Sequence, residues 1–158
     1  MKKVLLSFFA VACFCFTSSA QDEGAFRFGA GVQLYDISEA VGIQGKAVYG
    51  LNETLDISGA FTYWFEDFIQ FSIDANVQYK GLDVSESFKL QPLAGLTYLK
   101  TESFDIGGGF GTVGGSTTSL HIGASFRFVL EGGMTIYAEP ILLLDDGSPI
   151  NISGGILF

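Results

Sequence analysis

Ile150-Asn151-Ile152-Ser153-Gly154-Gly155-Ile156-Leu157-Phe158 closes the chain. Ile150, Ile152, Gly154, Ile156 and Phe158 alternate with Asn151, Ser153, Gly155 and Leu157, the two-residue period of a β-strand with one apolar face. Such a strand, ending on an aromatic, suits the closing strand of a barrel.

The same period recurs upstream. Seven more segments alternate, at Phe26 to Tyr35, Ala40 to Tyr49, Thr54 to Trp64, Phe68 to Tyr79, Phe88 to Lys100, Thr117 to Val129 and Met134 to Leu143. Each is close to the roughly 9–11 residues that a tilted strand needs to cross a bilayer. Helical periodicity is absent downstream of the N-terminal apolar run. Asn52-Glu53, Glu131-Gly132-Gly133 and Asp145-Asp146-Gly147-Ser148-Pro149 supply turn chemistry between segments. The expectation is an all-β fold, an eight-stranded antiparallel up-and-down transmembrane β-barrel.

The two faces differ sharply in charge. One face carries Phe26, Phe28, Val32 and Leu34, then Val41, Ile43 and Ala47, then Ile57 and Phe61, then Ile69, Phe71, Ile73 and Val77. It continues through Leu90, Pro92, Ala94 and Leu96, Leu120, Ile122 and Phe126, and Ile136, Pro140 and Leu142, with no charged residue. The other face holds Gln33, Gln44, Gln70, Asn76 and Gln78 together with charged groups. Alternation alone fits a soluble sandwich with the opposite sense as well. Aromatic placement separates the two. With both termini in the periplasm, Phe26, Tyr49, Tyr79, Phe88, Phe128 and Phe158 fall at one level and Tyr63, Phe71 and Tyr98 near the other. Two aromatic levels on a charge-free face are the girdles of a membrane barrel.

The N-terminus reads as an export signal, residues 1–20. Met1-Lys2-Lys3 is a short basic start, Val4 to Phe16 is apolar, and Ser18-Ser19-Ala20 offers small residues before Gln21. The apolar run is shorter than the ~20 residues of a helical span. Cys13 and Cys15 lie inside this segment, and Ala10-Val11-Ala12 makes a poor lipobox ahead of Cys13. Residues 21–158 then form the barrel domain, 138 residues without a cysteine. Its stability must come from ladder and packing, since no disulfide is available.

Composition excludes other classes. Without Lys2 and Lys3 the chain has six Lys+Arg against 17 Asp+Glu, a net charge of −11. That is a poor partner for nucleic acid, whose phosphates require cations. At 48% hydrophobic and 16% charged residues, the chain is too apolar for disorder.

Several stretches resemble a known family. The terminal Phe158, with Ile156, Gly154 and Ile152 before it, resembles the assembly signal of Gram-negative outer-membrane proteins. With Tyr49-Gly50-Leu51-Asn52-Glu53-Thr54-Leu55 and Leu90-Gln91-Pro92-Leu93-Ala94-Gly95-Leu96-Thr97-Tyr98, the chain is similar to small outer-membrane β-barrels of OmpA/OmpX-like architecture, the short Bacteroidetes-type versions above all. The resemblance implies residence in the cell outer membrane. It also implies contact with outer-membrane lipid and lipopolysaccharide, recognition by the barrel-assembly machinery, and a monomer.

Eight strands leave an interior that side chains fill. Parity points Arg27, Lys46, Lys89 and Arg127 inward with Asp56, Asp74 and Glu139, four cations against three acids. Near balance suits a closed lumen of buried ion pairs, because unpaired charge in a narrow interior is costly. Lys80 and Lys100 are assigned to the ends and loops with the remaining 14 acids. His121, the only histidine, shares inward parity with Ser119 and Ser125, which leaves a His–Ser contact open. Some small barrels that modify lipid A use such a pair, but Gly123 breaks the His-x-Ser pattern of the deacylase-like kind. His121 is therefore expected in the lumen's polar network, with no catalytic residue, cofactor or metal site.

Gly109-Phe110-Gly111-Thr112-Val113-Gly114 matches GxGxxG but no helix follows, so it reads as part of the longest outer loop, Thr101 to Ser116. The expected function is a non-enzymatic outer-membrane barrel serving envelope integrity or loop-mediated binding. The alternative is a lipid-modifying enzyme or a narrow transporter of small or hydrophobic molecules.

Overall fold

Alternation along each segment becomes a strand because every second side chain meets the same surroundings. The computed structural model describes residues 24–36, 39–102, 104–105, 112–145 and 147–158. The export segment, residues 1–20, lies outside the described residues. Eight long strands are present: β1 Phe26–Tyr35, β2 Ala40–Gly50, β3 Leu55–Trp64, β4 Ile69–Tyr79, β5 Phe88–Thr101, β6 Ser116–Val129, β7 Thr135–Leu143 and β8 Ile150–Leu157. Each pairs antiparallel with the next, and β8 pairs with β1 from Gly29–Leu157 to Tyr35–Asn151. The Phe158 amide donates to the Phe28 carbonyl at 2.7 Å, carrying the closure to the last residue. The sheet thus closes on itself, and no long strand is left with a free edge.

An even strand number puts both termini at one end, called the terminal end below. Its turns are held locally. Asn52 Oδ1 accepts from the amides of Thr54 and Leu55, each at 2.8 Å, an Asx turn joining β2 to β3. Between β6 and β7, Gly132 and Gly133 adopt φ of 89° and 88°, left-handed values that other residues rarely take. In the β4–β5 connection Leu82–Asp83 pairs with Leu90 and Lys89, extending the sheet by a short ribbon. At the opposite, distal end the loop between β5 and β6 contains a second ribbon, Phe104–Asp105 against Thr112–Val113. Residues 106–111 of that loop lie outside the described residues.

Two irregularities interrupt the regular ladder. The β6–β7 pairing lapses at Glu139 and Pro140, where proline brings no N–H. A β-bulge between Ile69 and Phe71 gives β4 one residue more than β5 there. Its effect is to invert parity. Ile69 turns inward and is 5% exposed, while Gln70 faces outward and meets Glu102 at 3.5 Å. The expected places of Ile69 and Gln70 are therefore exchanged, because an extra residue shifts everything on one side of it to the other face.

Glycine sets the closeness of the closing seam. A Cβ on Gly155 would stand 2.2 Å from the Ala30 carbonyl oxygen and 2.6 Å from the Gly31 Cα. Gly155→Ala must push two backbones apart and is expected to cost about 1–3 kcal/mol. Denaturant unfolding in detergent micelles measures this, and an unchanged midpoint would show slack in the seam.

Candidate functional site

The outer wall and the lumen divide the chemistry. Between the aromatic levels the outward positions carry no charge, and Ile73, Val77, Leu96, Ile122, Ile136 and Ile152 are all exposed. At the terminal end Phe26 meets Tyr49 with ring centroids 4.6 Å apart, and Phe88 meets Phe128 at 4.6 Å. Tyr79 and Phe158 are exposed at the same level. At the distal level Phe71 stacks on Phe61 at 5.6 Å and lies 6.2 Å from Tyr98, while Tyr63 meets Phe65 edge-on at 6.0 Å. These distal aromatics all sit on β3, β4, β5 and the β3–β4 turn. Elsewhere around that level the outward side chains are Leu34, Val41, Leu120 and Ile150.

Inside, one carboxylate organises the terminal end. Asp56 Oδ2 accepts from Arg27 Nη2 at 3.1 Å and Arg127 Nη1 at 3.0 Å, and its Oδ1 faces Lys80 Nζ at 3.2 Å. Arg127 also donates from Nε to Ser125 at 3.2 Å and from Nη2 to Gln78. Gln78 passes the network on, donating to Ser58 at 3.1 Å and to Glu139 at 3.3 Å. Glu139 binds Lys46, whose ammonium sits 4.9 Å from the Tyr137 ring centroid. The Tyr137 hydroxyl donates to Gln44 at 2.9 Å. Gln33 then accepts from Gln44 at 3.3 Å and from Thr62 at 2.5 Å. Lys46, Asp56, Arg127 and Glu139 are all buried, so these are desolvated pairs held by neutral hydrogen-bonding partners.

A second chain of contacts holds the histidine. Thr97 donates to Asp74 at 2.7 Å and lies 2.8 Å from His121 Nδ1, while His121 Nε2 faces the Asn76 amide. Ser119 binds Asp145 and Ser125 receives Arg127, so neither serine contacts His121. The His–Ser contact left open by parity is not formed. Among the described residues no group of three His, Cys, Asp or Glu is placed to hold a metal ion.

Sequence parity thus places Arg27, Lys46, Asp56, Asp74, His121, Arg127 and Glu139 on the lumen side. Lys89 is half-buried at the terminal end, across the ladder from Arg127. Lys80 departs from expectation. It joins the lumen instead of the loops, because inward parity continues from Asn76 and Gln78 past the end of β4. Apolar side chains also enter the lumen. Trp64 packs with Ala40 and Ile69 toward the distal end and donates to Ser72 at 3.2 Å, while Val48, Tyr137 and Leu157 cluster elsewhere.

No family model matches the chain, and no curated protein sequence does. Solved structures do. The N-terminal β-barrel domain of Pseudomonas aeruginosa OprF superposes with a TM-score of 0.66 at 12% identity, covering 86% of this chain and 98% of that one. The fold is that of the small outer-membrane barrels. Ail, the attachment invasion locus protein of Yersinia pestis, aligns with this outer-membrane-type barrel at 22% identity and a TM-score of 0.52, over 87% of this chain and 100% of Ail. A de novo designed transmembrane β-barrel matches at 15% identity and a TM-score of 0.59, over 87% and 97%. The likeness reaches the architecture and does not single out the Bacteroidetes-type subgroup. Because a designed chain shares the fold, the barrel alone assigns no activity, and function must be argued from its surfaces.

Proposed function

We propose that this outer-membrane-type barrel is a non-enzymatic structural and interaction protein of the cell outer membrane, with its lumen closed. The observation that carries this is the lumen network, whose two chains of contacts meet at Ser58, which accepts from both Gln78 and Asn76, and so link Arg27, Lys46, Asp56, Gln78, Thr97, Arg127 and Glu139 of β1 to β7. Charges committed to one another across a narrow interior resist the passage of ions. The charge-free wall takes outer-membrane lipid as its solvent, with lipopolysaccharide at the distal level. Ile152, Gly154, Ile156 and Phe158 serve recognition by the assembly machinery, the terminal end faces the periplasm, and the barrel acts as a monomer.

An enzymatic reading finds only the Thr97 hydroxyl beside His121, and with Thr97 3% and His121 1% exposed a substrate has no access to the pair. Loop binding is the remaining route to a partner. Ail has been solved in complex with the heparin analogue sucrose octasulfate. The distal loops of the present barrel carry, among the described residues, Asp36, Glu39, Glu66, Asp67, Glu102, Asp105 and Asp145 against Lys100, which opposes a polyanion and favours cationic or neutral partners. Planar-bilayer recording of the refolded barrel tests the closed lumen. A silent membrane is expected, and stable ion-selective openings would overturn it.

A further inference from the structure

We infer that the terminal mouth of the lumen binds a small oxyanion of the hydrogenphosphate class, held by Arg27 and Lys80 with Arg127 behind them. This goes beyond the closed-lumen reading, since it needs access from one end only. Arg27, Lys80 and Arg127 all contact Asp56, and among the described residues none of them forms another ion pair, so three cations share one carboxylate there. The Arg127 side chain is 1% exposed, and a cation with so little solvent and an overcommitted counter-ion gains strongly from a second anion. Arg27 and Lys80 stand in front, with side chains 11% and 15% exposed, open to the terminal end.

The donors suit a tetrahedral oxyanion. Two guanidinium forks and an ammonium already converge on the Asp56 carboxylate, an oxyanion whose donor requirements phosphate shares. A further polar group points to a ligand with a proton to give. Gln91, 2% exposed, has no partner for its Oε1, and it lies directly across the ladder from Ser125, which Arg127 contacts. An orphaned acceptor across the ladder from the serine that Arg127 contacts fits hydrogenphosphate, which carries an O–H as well as negative charge. Glu53, Glu86 and Glu131 on the terminal turns are exposed and make no ion pair with these cations, so solvent screens them from the site. The lumen is polarised accordingly, with Asp74 and Glu139 deeper and the surplus of cations at the mouth.

Calorimetric titration of inorganic phosphate into the full-length barrel in phosphatidylcholine nanodiscs tests this. Saturable binding is expected, at least tenfold weaker in Lys80→Gln and in Arg27→Gln, and retained in Lys80→Arg. Heat-modifiable migration on a gel confirms that each variant is folded. Absence of saturable binding, or equal binding by the folded glutamine variants, would overturn the site. Phosphatidylglycerol nanodiscs distinguish two sources of the same chemistry. Loss of phosphate binding there assigns the site to a lipid headgroup, and retention assigns it to soluble phosphate.

Discussion

Asp56→Ala is expected to destabilise the barrel by about 3–5 kcal/mol, because it leaves buried cations without their shared counter-charge. Arg127 is 1% exposed and Asp56 2% exposed by side chain, so little water is at hand to replace the lost carboxylate. Arg27 and Lys80 are more open and can relax toward solvent, which makes Arg127 the source of most of the cost. Denaturant unfolding in micelles measures the change. Glu53→Ala, on an exposed turn at the same end, serves as the control and should stay within about 0.5 kcal/mol. Adding Arg127→Gln to Asp56→Ala should recover part of the loss, since the double variant removes the most deeply stranded cation. If Asp56→Ala behaves like the control, the network does not hold the barrel together.

Ile73→Lys should cost about 2–4 kcal/mol for a different reason, exposure of a charge to hydrocarbon near the middle of β4. Ile73 is 46% exposed on the outer wall, beside Phe61 across the β3 ladder, with no polar group offered to an ammonium there. A lysine at Tyr79, at the terminal aromatic level, should cost no more than about 1 kcal/mol from charge placement, because depth sets the penalty. Equal losses at the two positions, measured by unfolding in lipid vesicles, would mean that this wall does not face a bilayer.

Much of the barrel was legible because a closed antiparallel sheet imposes one rule on every strand. Ile73, Ala75 and Val77 face one way and Asp74, Asn76 and Gln78 the other, and the contrast in polarity is visible without coordinates. Closure itself was readable from Ile150 to Phe158, a strand whose apolar face runs to its last residue. The rule fails where the ladder is irregular. Nothing in Phe68-Ile69-Gln70-Phe71 marks a bulge, so strict alternation runs through it and puts Ile69 and Gln70 on the wrong faces. The apolar pattern ends at Tyr79 and points to a loop for Lys80, although inward parity extends one step further.

The lumen contacts were less legible than the faces. Parity brings Asp56, Arg27 and Arg127 to one side of the wall, but strand tilt and stagger decide which of them meet across the interior. Asp56 and Arg127 are 71 residues apart in sequence and 3.0 Å apart in the lumen. His121 shows the same limit. Ser119 and Ser125 share its parity and its strand, yet its partners, Thr97 and Asn76, come from β5 and β4.

Accessibility of spin labels along β4 tests the lipid-facing wall most directly. Residues 21–158 contain no cysteine, so single cysteines at Ile73, Ala75 and Val77 can be labelled without background in vesicles. A lipid-facing wall predicts frequent collisions with oxygen and few with a water-soluble nickel complex at all three, as in bilayer hydrocarbon. Water-like exposure to the nickel complex at these positions would contradict it.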